Sequence, residues 1–193
     1  LEYWSKHLAN IPDTLDIPTD FARQKRFDYK GSQISHSISE ADTIRIKNFC
    51  HEYGYSEYVV FLAAYGLLLS AVSGCNDMII GTPVAGRTRA EYSKIFGPLI
   101  NTLPIRVTPD KKFTVEEWLK IVQKETADLL DHQHVGLEDI ISALNLERGE
   151  QNSLYRVMMS QSPVDEDGFT LDGQKMHLTG MATNSAKMDM VFE

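Results

Sequence analysis

Leu1, Trp4 and Leu8 recur at helical spacing and the run stops at Asn10, ahead of Pro12, so the chain is predicted to open with a short amphipathic helix. From Ile11 to Gly31 no period is sustained, and Pro12 and Pro18 with several basic residues mark an extended connector. Ser32 to Ile38 alternates polar residues with Ile34, His36 and Ile38, the pattern of a half-buried strand. Ser39 then begins Ser-Glu-Ala-Asp, an N-capping signal for a helix over Glu40–Tyr53. Gly54 ends that helix. Ser56 caps the next one, over Glu57–Ser73, whose residues are apolar on nearly every face and which should therefore be central.

Asp77–Gly81 and Leu99–Val107 read as strands, separated by a loop of Gly, Pro and Arg with at most one helical turn. Phe113–His132 carries Phe113, Val115, Trp118, Leu119, Val122, Leu129 and Leu130 on an amphipathic pattern, with Thr114 as cap and Glu116 and Glu117 in the first turn, where the helix dipole favours acids. A shorter helix over Leu137–Leu144 follows, and strand-like runs close the chain at Leu154–Ser160, Lys175–Leu178 and Lys187–Phe192. The expected class is α/β, in the α+β sense of a mixed sheet with helices packed on it.

Composition narrows the function. The chain has 193 residues, 42% of them apolar and 24% charged, which excludes disorder and suits one large domain or a lobe of something larger. A formal charge of −8 argues against nucleic-acid and anionic-membrane binding, which need clustered positive charge. The apolar run Tyr58–Val72 is shorter than the roughly 20 residues that span a bilayer. Cys50 and Cys75 are isolated and are expected as free thiols. The start Leu1-Glu2-Tyr3-Trp4 carries no signal core, so a cytoplasmic piece of a longer protein is expected.

Gly81-Thr82-Pro83-Val84-Ala85-Gly86-Arg87-Thr88 nearly matches a phosphate loop. Pro83 offers no N–H, however, and Arg87 replaces the lysine, so a rigid turn presenting Arg87 to a carboxylate is the better reading. His132 and His134 are two apart and project from different faces, which disfavours a metal pair, and no nucleophile elbow is present. Asn101 is polar on an apolar strand. Buried, it must either bond the backbone near Gly97 or line a cavity, because an unpaired amide costs about 1–3 kcal/mol.

The motifs in their order carry more than any one of them. Tyr3-Trp4 with Leu8, Pro12 and Leu15; Pro18-Thr19-Asp20-x-x-Arg23; Gly81-Thr82-Pro83-Val84-Ala85-Gly86-Arg87; Phe96-Gly97-x-x-Ile100-Asn101-Thr102-Leu103-Pro104-x-Arg106; and His132-Gln133 before Leu137-Glu138 resemble the second half of a nonribosomal peptide synthetase condensation domain. Leu154–Met158 and Ala186–Met190 resemble its two later strand motifs. His134, Gly136 and Leu137 stand where the family usually has Asp, Pro and Phe.

The resemblance implies one lobe of a two-lobed fold of the chloramphenicol acetyltransferase type, with a tunnel between the lobes. Residues 1–193 would be the C-terminal lobe, without the N-terminal lobe and the last strands and helix. Carrier-protein domains upstream and downstream would deliver thioesters on phosphopantetheine arms, with an adenylation domain as neighbour, and an amide would form. The family's His-His-x-x-x-Asp-Gly does not occur in this chain, so no catalytic residue, metal or directly bound cofactor is expected in it. Asn101, Arg87, Thr82 and Gly86 are the expected tunnel residues, with Arg87 facing the other lobe. The alternative is a noncatalytic, condensation-like platform that binds partner proteins.

Overall fold

The computed structural model describes residues 1–12, 15–22, 28–145, 154–162, 169–172, 174–176 and 184–193. In chain order the elements are α1 (Glu2–His7), α2 (Glu40–Tyr53), α3 (Glu57–Ser73), β1 (Met78–Val84), a 3-10 turn (Ala90–Lys94), β2 (Asn101–Val107), α4 (Val115–Asp131), α5 (Leu137–Ala143), β3 (Val157–Met159), β4 (Phe169–Leu171), β5 (Gln174–Met176) and β6 (Met190–Phe192).

Helix boundaries follow local chemistry. The hydroxyls of Ser39 and Ser56 accept from Asp42 N and Val59 N, and Gly54 and Gly74 end α2 and α3 in the left-handed conformation that glycine enters at little steric cost. Thr114 and Glu117 exchange side-chain and backbone hydrogen bonds in a capping box at the start of α4.

Four strands form a mixed sheet in the order β2-β1-β3-β6. β1 and β2 are antiparallel with Met78 opposite Val107 and Val84 opposite Asn101, whereas β1–β3 and β3–β6 are parallel. β4 and β5 form a separate antiparallel pair. Gly81 sits where β1 meets β3. A Cβ there would lie 2.4 Å from the Tyr155 ring, so only glycine lets that ring cross the strand. Pro104 is tolerated because β2 is an edge strand of this sheet.

α4 packs on α3 and β2. The two helices meet at Gly66, which faces the Trp118 ring, while Trp118 Nε1 donates to the Ala63 carbonyl at 3.0 Å. The core between helices and sheet includes Leu62, Leu69, Ile80, Leu103, Ile105 and Val122, all essentially inaccessible. Burial of such aliphatic side chains contributes about 1.5–3 kcal/mol each, before the entropy of ordering is charged against it. The C-terminal end of α1 is tied to the sheet by Arg106 on β2. Its guanidinium binds Asp77 bidentately, at 2.9 and 2.7 Å, and donates to the His7 and Ala9 carbonyls.

Three expectations are corrected. Ser32–Ile38 joins no sheet among the described residues, and Ile34 is 94% exposed; alternation supplies a face but not a partner strand. α3 is only half-buried: Leu62, Tyr65 and Leu69 face the core, while Leu67, Leu68 and Val72 face outward. β1 runs on to Val84, because Thr82, Pro83 and Val84 still pair with Leu103, Thr102 and Asn101 across the antiparallel ladder. Part of the predicted run Lys175–Leu178 falls outside the described residues, as do Arg23, Lys25 and Arg26 of the connector. Cys50 and Cys75 are free thiols. Among the described residues, no single helix is long and apolar enough to cross a membrane.

Candidate functional site

The C-terminal end of β1, the start of β2 and the turn after α4 converge at one end of the sheet. β1 ends at Val84, and the chain leaves through Gly86 with φ 65°, a left-handed conformation. A Cβ on Gly86 would come within 1.9 Å of the Leu99 carbonyl oxygen, so the close approach of the two ends of the 85–100 loop requires glycine.

Arg87 holds this loop closed. Its guanidinium donates to the Tyr92 carbonyl, to the Ile95 carbonyl at 3.1 Å and to the Gly97 carbonyl at 3.2 Å. The sequence pointed to a carboxylate partner, whereas the structure gives Arg87 backbone acceptors from its own loop. A planar fork suits several converging carbonyls as well as it suits a carboxylate. Held this way, the loop presents Ile95, Phe96 and Ile100 to solvent, with Phe96 fully exposed. The loop also disposes of the phosphate-binding reading: it leads into a 3-10 turn with Arg89 at its N-terminus and offers no α-helix start to a phosphate.

Asn101, the first residue of β2, is half-buried and joins two distant motifs. Its Nδ2 donates to the Gln133 carbonyl at 3.1 Å and to the Val135 carbonyl at 2.8 Å. It therefore fixes the turn after α4 against the sheet, using partners in the His132–Gly136 segment rather than near Gly97. Asn101 also lines a cleft of about 510 Å³ with Gly86, Leu99, Tyr92, Gln133 and His134, so two of the predicted tunnel residues share one wall. Arg89 and Thr88 line the same cleft.

The turn is braced from below. His132 stacks on Tyr3 with ring centroids 3.7 Å apart, and Tyr3 stacks on His7 at 5.1 Å. Trp4 Nε1 donates to the His132 carbonyl, and Asp128 O lies 2.8 Å from His132 Nδ1. His7 Nε2 in turn lies 3.1 Å from Glu125 Oε2. Burial, reinforced by Glu125 and Asp128, pushes the Tyr3 hydroxyl up to about 12. His132 thus serves the scaffold, and His134 alone of the two lines the cleft. Among the described residues, no group of His, Cys, Asp and Glu is placed to hold a metal ion.

Thr82 is not in that cleft. It is buried on β1, 2.6 Å from the Tyr58 hydroxyl, in a second cavity of about 380 Å³ between β1, the start of α3 and the end of α4. Burial raises the Tyr58 pKa, and the hydrogen bond to Thr82 offsets part of the rise. Gln133 borders both cavities. Gln133 stood in a motif of the sequence but not among its expected tunnel residues, and Tyr58 was missed; the one available signal for Tyr58 was a threonine on an apolar strand, which needs a polar partner from somewhere.

Comparison with known proteins assigns the arrangement. The chain matches the Condensation domain family over residues 1–192. It is 30% identical over 190 residues to surfactin synthase subunit 1 of Bacillus subtilis (strain 168), a match covering 98% of this chain and 5% of that protein. Among solved structures it is similar to a four-domain nonribosomal peptide synthetase bound to AMP and glycine, with TM-score 0.80 and 26% identity over 86% of this chain and 13% of that one. It shares its fold with the X-domain from teicoplanin biosynthesis, with TM-score 0.85 and 20% identity over 98% of this chain and 43% of that one. The chain therefore spans a small part of its curated relatives and less than half of that single domain. The family match along nearly the whole chain and the shared fold agree with the ordered motifs around Gly86, Arg87 and Asn101: the chain belongs to the condensation domain family of nonribosomal peptide synthetases.

Proposed function

We propose that this chain is the C-terminal lobe of a condensation domain and supplies one wall of the tunnel in which carrier-bound substrates meet. The amine of an acceptor attacks the carbonyl carbon of a donor thioester. The C–N bond forms, the C–S bond breaks, and the proton lost by the amine ends on the released phosphopantetheine thiol. Both substrates arrive tethered to carrier proteins, so the arms belong to the substrate. The general base or amine-positioning histidine would come from a His-His-x-x-x-Asp-Gly segment in a partner lobe, within a cytoplasmic synthetase that also carries an adenylation domain.

The observation that carries the reading is the joining of Gly86, Asn101 and the 133–136 turn into one cleft wall, in a chain that matches the family over residues 1–192. Neither Asn101 nor Arg87 is placed for proton transfer: Asn101 is a neutral amide committed to two carbonyls, and Arg87 is committed to its loop. Their role is to hold shape, which lowers the entropic cost of bringing two tethered reactants together.

The test is amide formation by the full-length synthetase with loaded carrier proteins. Asn101→Ala is expected to lower kcat at least about tenfold, and near-normal turnover overturns the reading. The isolated chain is expected to make no amide, and product from it would place the catalytic group here. A second reading, a noncatalytic platform for a partner protein, is favoured by the exposed Ile95, Phe96 and Ile100 of the clasped loop. A full-length protein that binds carrier proteins but forms no amide would select it.

A further inference from the structure

The cavity beneath Thr82 is separate in its lining from the cleft at Asn101, apart from Gln133, which borders both. Its walls are Val84, Ala85, Ile105, Leu129 and Leu130, and its volume of about 380 Å³ lies at the small end of the usual 300–1,000 Å³ range for ligand sites. That admits one aliphatic side chain or short acyl group rather than a folded segment. Among its polar groups the Tyr58–Thr82 pair is distinctive. Two hydroxyls 2.6 Å apart carry two protons, and their mutual hydrogen bond uses only one. Whichever hydroxyl donates within the pair, the other keeps an O–H with no acceptor among the described residues. Ser56, Thr126 and Gln133 line the cavity as well, and the remaining wall is apolar, so the buried Tyr58–Thr82 donor beside that apolar wall suits an aliphatic group attached near a carbonyl.

We infer that this cavity is a specificity pocket for the aliphatic side chain of a carrier-tethered aminoacyl group, whose carbonyl takes the unspent Tyr58–Thr82 proton. The inference rests on the condensation reading for the identity of the tether. Gln133 links the two spaces, so a group anchored in the cavity extends toward Asn101, where the reacting atoms would lie.

The probe is the N-acetylcysteamine thioester of leucine, with that of glycine as control, titrated into this chain labelled at its Val, Ile and Leu methyls. The leucyl probe is expected to shift the Val84, Ile105 and Leu129 methyls and to bind at least about tenfold more tightly than the glycyl probe, as burial of a leucine side chain requires. Ala85→Phe, at an exposed position on the cavity wall that can carry a larger side chain, is expected to abolish those shifts. Tyr58→Phe is expected to weaken leucyl binding roughly two- to tenfold. Absence of shifts at the cavity methyls, equal binding of both probes, or an Ala85→Phe chain that binds like wild type overturns the pocket. Its failure is separable from failure of the functional reading: a synthetase that condenses glycyl and leucyl substrates equally well removes the pocket and keeps the function. Methyl shifts in a chain whose synthetase forms no amide keep the pocket and remove the function.

Discussion

Asn101 donates to the carbonyl of Val135 at 2.8 Å, and this bond spans 34 positions to fasten the turn after α4 to the first residue of β2. Because the same amide also serves Gln133, its loss leaves two carbonyls without their donor. Asn101→Ala is expected to destabilise the chain by about 1–3 kcal/mol in urea unfolding. Asn101→Asp keeps the shape but turns an oxygen toward carbonyl acceptors, so it should cost at least as much at neutral pH. A value near zero for both would show that the turn holds itself.

Gly86→Ala combines two penalties, a positive φ and a Cβ driven into the Leu99 carbonyl oxygen. The loop must open to accept it. The expected outcome is a loss of more than about 1 kcal/mol together with new proteolytic cleavage between residues 86 and 100. Unchanged cleavage would contradict the close approach.

Arg87→Ala should act locally. The side chain is exposed and its acceptors all lie in its own loop, so global stability should change by less than about 1 kcal/mol. Amide exchange over residues 92–97 should nevertheless accelerate strongly. Arg87→Lys is expected to resemble alanine, because an ammonium cannot reach three carbonyls with a planar fork's geometry. Retained protection in the lysine variant would sink this account.

The alkaline limb of stability should trace two tyrosines. Burial pushes the Tyr3 and Tyr65 hydroxyls both up to about 12, and neither has a hydrogen-bond partner among the described residues. Unfolded tyrosine titrates near 10, so below that pH both states are neutral and their contribution is fully present. Between about 10 and 12 only the unfolded chain ionises, and stability falls. Tyr65→Phe should be neutral or slightly stabilising at pH 7, because it removes a buried hydroxyl that bonds nothing among the described residues, and should flatten the decline above pH 10. Chemical denaturation at pH 7, 10 and 11.5 checks both halves.

What the sequence revealed follows the range of each interaction. Ser39, Ser56, Gly54 and Gly74 act on neighbours a few residues away, so α2 and α3 are bounded as their caps predict. Ser32–Ile38 misleads because alternation describes one strand and a sheet needs two. For Asn101 the need for partners was legible, but their identity was not, since nothing local relates position 101 to positions 133 and 135. Arg87 shows the converse: its partners are close in sequence, but backbone carbonyls exist at every residue and leave no mark in the side-chain pattern. The Tyr58–Thr82 pair was invisible for both reasons, as an ordinary helix residue meets an ordinary strand residue 24 positions on.

The strand order β2-β1-β3-β6 also dictates a sequence of events during folding. β1 and β2 are joined by a short excursion and can zip together early, with α4 closing over them. β3, which flanks β1, arrives from residues 157–159 and meets it through the single register pair Gly81–Met158. Its far side waits for residues 190–192. Until those residues are synthesised, the growing chain carries a bare strand edge on its sheet, and in this region the ribosome and its chaperones have the most to protect.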